Sequence, residues 1–442
     1  MEKYDLTPKL MLHLDRQLCY PLLEFLSVKN VYNKQDLLKA KFELLQPTEM
    51  VDYVGSLYVD LHGGCELPEE YPLRRAETMK KLEEFEKKTE KIRSIIEIPE
   101  VASSLRQDRE QNMKFLKENY DCKPEMVRDL YDFGIFLYSC GNYGGAADML
   151  FHFLVLSTDF NLVIKAMWGK LACEILMGNW ETAYNDIGRL RENIEKTSYS
   201  NQTQQLTRRV WLLHWSLFVF FNHPNGRDGI LDMMLTSQYS NTIQNACPWL
   251  VRYLVAAAIV NRRRRNSIKD VVKIAKNIDY MYRDPLTEFV CKGVLSNDFF
   301  LTGLGDDFVD CARLYFAEVY CRVYSKIDFS HLVSMLGMDQ EHGEKWIVKL
   351  IRDTRLDAKV DLKDNLVVIN PNSSPVPQLV IERSKFLSFR SQVLNGAIDK
   401  REAAANNPTK SEPNSSSKKG NTESSSNTNN SFKSRKTASS RA

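Results

Sequence analysis

"HLVSMLGMDQEHGEKWIVKLIRDTRLDAKV", residues 331–360, changes its hydrophobic period part of the way along. His331 to Leu336 reads as a short helix with an apolar face, Gly337 centres a turn, and a second helix opens at Asp339. Leu356, Ala358 and Val360 then alternate with Asp357 and Lys359, which is strand periodicity. Asp361 to Asn365 lean polar, and Leu366 to Ile369 form an apolar run, so the two strands make a hairpin. Helix, turn, helix, hairpin is the order of a winged helix, a shape best known for reading DNA.

Charge argues against that use here. At about 100° per residue, Lys345, Lys349 and Arg352 line one side of the second helix, while Trp346, Ile347, Leu350 and Ile351 face the core. Glu341 heads the same cationic stripe at i,i+4 from Lys345, the spacing of a local ion pair. Residues 327–370 carry eight Asp or Glu against six Lys or Arg, a net of −2. A domain that binds by neutralising phosphates should not be acidic overall. A winged helix also has a sheet edge, and an open edge is a template for pairing with another chain.

Upstream, helix succeeds helix. "FLYSCGNYGGAADML" (136–150) and "CEILMGNWETAYNDI" (173–187) resemble each other, with Gly141-Asn142-Tyr143 and Gly178-Asn179-Trp180 37 residues apart. Each reads as a helical hairpin. Gly-Asn ends one helix, since both residues tolerate the left-handed conformation, and Ala146 or Ala183 lets the pair approach. The period is close to the tetratricopeptide spacing of about 34 residues. Residues 77–96 form a highly charged helix with a thin seam of Met79, Leu82, Ile92 and Ile96, expected to lie solvated along the array. Breaks fall at Asn222-His223-Pro224 and at Asp284-Pro285. After the linker "PNSSPVP" (371–377), residues 378–398 form an amphipathic helix with Val380, Leu387, Leu394 and Ile398 along one side. Residues 399–442 are Ser, Asn, Thr and Lys with almost no large apolar residue, a composition that cannot order itself.

The expected architecture is therefore mainly α: a helical-repeat (TPR-like) array ending in a winged helix, plus a C-terminal helix. A length of 442 residues fits roughly three domains or one extended array. The net charge of +3 is uneven: residues 401–442 hold eight Lys or Arg against three Glu, leaving the rest near −2. That body is not a bulk polyanion binder. The nine cysteines are scattered without a CxxC pair, the opening "MEKYDLTPK" is not a secretory signal, and no apolar stretch is long enough to span a bilayer. An intracellular protein with reduced thiols and no membrane contact is expected.

Signs of catalysis are lacking. "GLGDD" (303–307) has neither the third glycine nor the preceding strand of a dinucleotide loop, and the metalloprotease, hydrolase and kinase signatures are absent. His214 and His152 lie inside apolar helical stretches, where a core histidine with a local hydrogen bond is expected. No catalytic, cofactor-binding or metal-binding residue is assigned, and no cofactor. Arg262, Arg263, Arg264 and Arg265 are unbroken by any other residue and cannot all lie on a packed face. They read either as a contact for phosphate, RNA or an acidic partner, or a nuclear-import signal, or else as a solvated interhelix loop.

Helical repeats running into a winged helix and a closing helix resemble the PCI-domain family, the module of the proteasome lid, the signalosome and translation initiation factor 3. Within that group the chain closely resembles the family of that factor's E subunit. The resemblance is carried by "YDLT" (4–7), "YPLLEFLS" (20–27), "CGNYGGAA" (140–147), "WGKLACEILMGNW" (168–180), "HWSLFVFFNHPNGRD" (214–228), "DPLTEFV" (284–290), "WIVKLIRDTRLDAKVD" (346–361) and "LSFRSQ" (387–392), in order along the chain. The resemblance implies a non-catalytic cytoplasmic scaffold subunit, with the other PCI and MPN subunits of factor 3 as partners. Through the complex it implies contact with the small ribosomal subunit and the cap-binding scaffold, supporting messenger RNA recruitment. It divides the chain into a helical-repeat region (1–214), a PCI domain (215–398) and a tail (399–442). Within the PCI domain lie a helical part (215–326), the winged helix (327–370) and the closing helix (378–398). Lys345, Lys349, Arg352 and Lys359 of the winged helix, with Leu387 and Leu394 of the closing helix, are the expected partner contacts. Two features depart from the family. "CKGVL" (291–295) stands where a segment about eighteen residues longer is expected, so a helix of the last repeat should be missing; the tail is the other. The alternatives are a nucleic-acid-binding winged helix and a PCI subunit of a lid-like or signalosome-like complex.

Overall fold

Gly141 and Gly178 set the repeat through their backbones. Both stand at positive φ, +87° and +78°, where a Cβ would be strained. The asparagines after them do not share that conformation. Asn142 (φ −86°) instead caps the next helix, its side chain accepting from the Gly145 N–H at 3.1 Å. Asn179 (φ −80°) donates to Glu174 Oε2 at 2.9 Å. Glycine reverses the chain and asparagine fastens the turn. Ala146 and Ala183 are completely buried, as close helix approach demands.

The computed structural model describes residues 4–405, apart from 97, 99–100, 102–108, 121–122, 198–200, 262–264, 285–294, 325, 339, 355–357, 362–365 and 370–375. It falls into two units, residues 1–369 and 370–442. The first unit opens with α1 (Thr7–Met11), α2 (Arg16–Lys29), α3 (Lys34–Leu45), α4 (Val51–Leu61), α5 (Glu70–Ile96) and α6 (Arg109–Tyr120). The repeat hairpins come next as α7 (Pro124–Ser139), α8 (Tyr143–Leu156), α9 (Phe160–Met177) and α10 (Trp180–Lys196), each packed on its successor. Beyond them come α11 (Gln202–Asn222), α12 (Gly226–Met234), α13 (Ser237–Ala246), α14 (Val251–Val260), α15 (Arg265–Ile278) and α16 (Gly305–Val323). α11 ends at Asn222, where the Asn-His-Pro break was expected. One buried cluster runs from Leu6 in the N-terminal segment to Phe308 in α16, crossing residue 214 without interruption.

The charged helix extends further upstream than residue 77, as α5, and its seam is Thr89, Ile92 and Ile96, with Leu82 and Phe85 packed beside them. Met79 is exposed, contrary to expectation. Thirteen residues before Ile92, it lies about 140° round the helix from it.

The first thirty residues tie distant parts of the chain together. Trp215 Nε1 donates to the His13 carbonyl at 3.2 Å, Tyr138 Oη donates to Asp15 at 2.5 Å, and Phe25 meets Phe299 edge-on. His214 is buried, as expected of a core histidine. Its Nδ1–H donates to the Val210 carbonyl at 2.7 Å, while Nε2 accepts from Trp249 Nε1–H at 3.1 Å. Both ring nitrogens are used by the neutral form, and burial pushes the imidazole pKa down to about 3.

A buried ion cluster fastens α14. Arg252, 2% exposed, donates through Nε to Asp284 at 2.8 Å and through Nη1 to Asp298 at 3.2 Å. Tyr282 and Tyr253 hydroxyls donate to Asp284 and Asp298, and the Phe300 N–H caps the second oxygen of Asp298. Burial opposes the guanidinium charge, but the two carboxylates more than offset this and hold its pKa above the usual value. The expected shortening at 291–295 falls, except for Leu295, outside the described residues; Asp284 and Asp298 flank it.

The second unit contains one helix, Val376–Ala405. It starts two residues before and ends seven residues after the expected span 378–398, entering the stretch expected to lack order. Asp399-Lys400-Arg401-Glu402 and the three alanines after it make a run dominated by strong helix formers, which explains the extension.

Candidate functional site: the winged helix and its neighbours

The winged helix is built from β1 (Lys326–Asp328), α17 (Phe329–Met335), α18 (Gln340–Thr354), β2 (Ala358–Asp361) and β3 (Leu366–Ile369). Asp328 caps α17 by accepting from the Ser330 N–H. The turn between the two helices rests on Gly337 at φ +62°. Gly343 allows their close approach: a Cβ there would meet Val333 Cγ2 at 2.5 Å. The sheet is antiparallel with order β1-β3-β2. β2 and β3 form the expected hairpin, with Lys359 opposite Val368 and Val360 opposite Val367. β1 was not anticipated. It pairs Ile327 with Val367, and only its central residue is buried.

Ile327, Leu332, Val333, Leu336, Ile347 and Val367 make a small core continuous with Cys321 at the end of α16. Phe316 and Tyr320 pack on it, and Arg313 Nε donates to the Leu336 carbonyl at 3.2 Å. The winged helix is thus seated on the helix that feeds it.

The side chains of α18 divide by face. Ile347 and Leu350 are buried, Trp346 and Ile351 half-buried against the core, and Lys345, Lys349 and Arg352 exposed along one side. The structure therefore groups the three cations. Lys359 has a placed backbone in β2, opposite Val368 on β3. Leu387 and Leu394 are exposed on the C-terminal helix, together with Val380, Phe386, Val393 and Ile398. Val380, Leu387 and Leu394 recur every seven residues, with Phe386 and Val393 beside the last two and Ile398 one turn further on. That heptad spacing gives a broad stripe suited to more than one partner helix. Arg262, Arg263 and Arg264 lie outside the described residues; Arg265 opens α15.

Residues 267–277 read as helical from the sequence, but the lysine face of α15 was passed over. Lys269, Lys273 and Lys276 are exposed on it, around Val272, while Val271, Ile274 and Ile278 are buried on the opposite side. The signal was present as the spacing i, i+3, i+4, i+7, but it is fainter than the unbroken arginines beside it. Among the described residues no group of three or more His, Cys, Asp or Glu is placed to hold a metal ion.

Comparison with known proteins gives two family matches. Residues 5–137 match the eIF3 subunit 6 N terminal domain, and residues 286–371 match the PCI domain. Among curated relatives, the E subunit of eukaryotic translation initiation factor 3 from Sclerotinia sclerotiorum is 46% identical over 421 residues, covering 90% of this chain and 93% of the relative. The protein of that name from Pyricularia oryzae is 45% identical, covering 90% and 97%. That from Aspergillus fumigatus is 42% identical, covering 90% and 94%.

Proposed function

The chain belongs to the family of the E subunit of eukaryotic translation initiation factor 3, in which it has a scaffold role, and we propose how its surfaces carry that role. The protein acts without catalysis, in the cytoplasm, by joining other PCI and MPN subunits of the factor. The open edge of the winged-helix sheet pairs with a neighbouring subunit's strand. The heptad stripe of Val376–Ala405, with Leu387 and Leu394 central to it, enters a helical bundle. Lys345, Lys349, Arg352 and Lys359 meet acidic surfaces of those neighbours. Through the assembled factor the chain contributes to binding the small ribosomal subunit and the cap-binding scaffold, and so to messenger RNA recruitment.

The observation that carries this reading is the sheet order β1-β3-β2. It leaves β1 and β2 paired on one side only among the described strands, in a domain of net charge −2. A second reading, nucleic-acid binding by α18, is favoured by the exposed stripe of Lys345, Lys349 and Arg352 and opposed by the domain's charge.

Sedimentation tests the proposal. The tagged chain, released gently from its own cells, should travel through a density gradient with the other factor subunits and partly with small ribosomal subunits. Migration only as a free chain would refute it.

A further inference from the structure

We propose that the exposed face of α15 is a docking surface for single-stranded RNA, separate from the winged helix. Lys269, Lys273 and Lys276 occupy positions i, i+4 and i+7, with exposed Val272 at i+3, so one face carries all four. The lysines span about 10 Å of helix at 1.5 Å per residue. The sole acid on the helix, Asp270, pairs with Lys273 at 3.0 Å. For Lys269 and Lys276 there is no ion-pair partner among the described residues. α15 thus has four Lys or Arg against one Asp, a local excess equal to the net +3 of the whole chain.

An aromatic follows the helix in the chain. Tyr280, two residues past the helix, is 83% exposed, an unusual position for a ring with no packing role, and exposed Met281 lies next to it in the chain. Cations that track a backbone beside a solvent-facing ring are what single-stranded nucleic acid needs: phosphates meet the lysines and a base stacks on the ring. A duplex fits less well than a single strand, because its bases are stacked on one another and closed to an exposed ring. A lipid surface does not fit. A membrane-lying helix buries its apolar face in the bilayer, and here that face is already occupied by the protein core.

The test uses the full chain and a fluorescein-labelled twenty-nucleotide oligo(U), with anisotropy read at several salt concentrations. Neutralising three phosphates contributes about −2 to the slope of log affinity against log salt, at roughly −0.7 per contact on a single strand. The triple variant Lys269→Ala/Lys273→Ala/Lys276→Ala should flatten the slope by about that amount, and the corresponding triple Lys→Arg variant should restore it. Tyr280→Ala should weaken binding about five-fold or more at an unchanged slope. Lys345→Ala/Lys349→Ala/Arg352→Ala should change neither. Melting curves that match the wild type establish that each variant is folded. Failure of the wild type to bind RNA at low salt would overturn the proposal. So would a salt slope kept by the triple Ala variant but lost by the α18 variant. Displacement of the RNA by an equal charge of polyglutamate would also overturn it, marking the face as a site for an acidic protein.

Discussion

Replacing Arg252 with methionine removes the buried guanidinium that bridges Asp284 and Asp298, and with it one ion pair from each carboxylate. Breaking a buried ion pair by deleting one partner typically costs about 3–5 kcal/mol, because the remaining charge has neither water nor a counterion. Here the loss falls on two carboxylates. Each keeps some support, Asp284 from the Tyr282 hydroxyl and Asp298 from the Tyr253 hydroxyl and the Phe300 N–H. Methionine also fills much of the arginine's volume with apolar atoms. These effects oppose one another, and we expect a loss of about 4 kcal/mol, a large part of the 5–15 kcal/mol that holds a typical protein folded. Urea titration monitored by circular dichroism at 222 nm would show it as an earlier transition. The control is Arg252→Met combined with Asp284→Asn and Asp298→Asn, which leaves no uncompensated charge and should recover most of the loss. An unchanged midpoint for the single variant would refute the reasoning. A triple variant as unstable as the single one would show that packing at the site matters and its charge does not.

His214 gives a pH dependence. Its folded pKa of about 3 lies below the unfolded value near 6.5, so below that value the unfolded chain takes up a proton the folded chain refuses. Stability should be complete above pH 6.5 and fall by about 2 kcal/mol at pH 5, with the slope reduced in a His214→Gln variant, as melting curves at the two pH values would show. Gly343→Ala should destabilise the winged helix by about 1–3 kcal/mol through contact with Val333, and Val333→Ala should relieve the clash in the double variant, as paired urea titrations would show.

What could be read from the sequence was local. The β2–β3 hairpin, the Gly337 turn and the cationic side of α18 each lie within a stretch whose period or turn residue states the answer, and β3 falls on Leu366–Ile369 as expected. β1 escaped because three residues with one buried side chain have no period to detect. The Arg252 cluster escaped because its partners are 32 and 46 residues away and only packing unites them. His13 and Trp215 meet across 202 residues for the same reason. Met79 was placed on the seam of α5 by its apolar character, whereas its angle about the axis puts it in solvent. The α15 lysines were legible as a helical spacing, but only knowing which side of the helix is buried reveals that their face is open.

The most direct test of the scaffold account is the set of proteins that copurify with the tagged chain, compared with its Leu387→Asp/Leu394→Asp variant. Both residues are exposed, so the variant chain should melt as the wild type does. The account predicts that the wild type brings down the other factor 3 subunits and that the variant loses them. An unaltered set of partners with the variant, or no factor 3 subunits with the wild type, would contradict it.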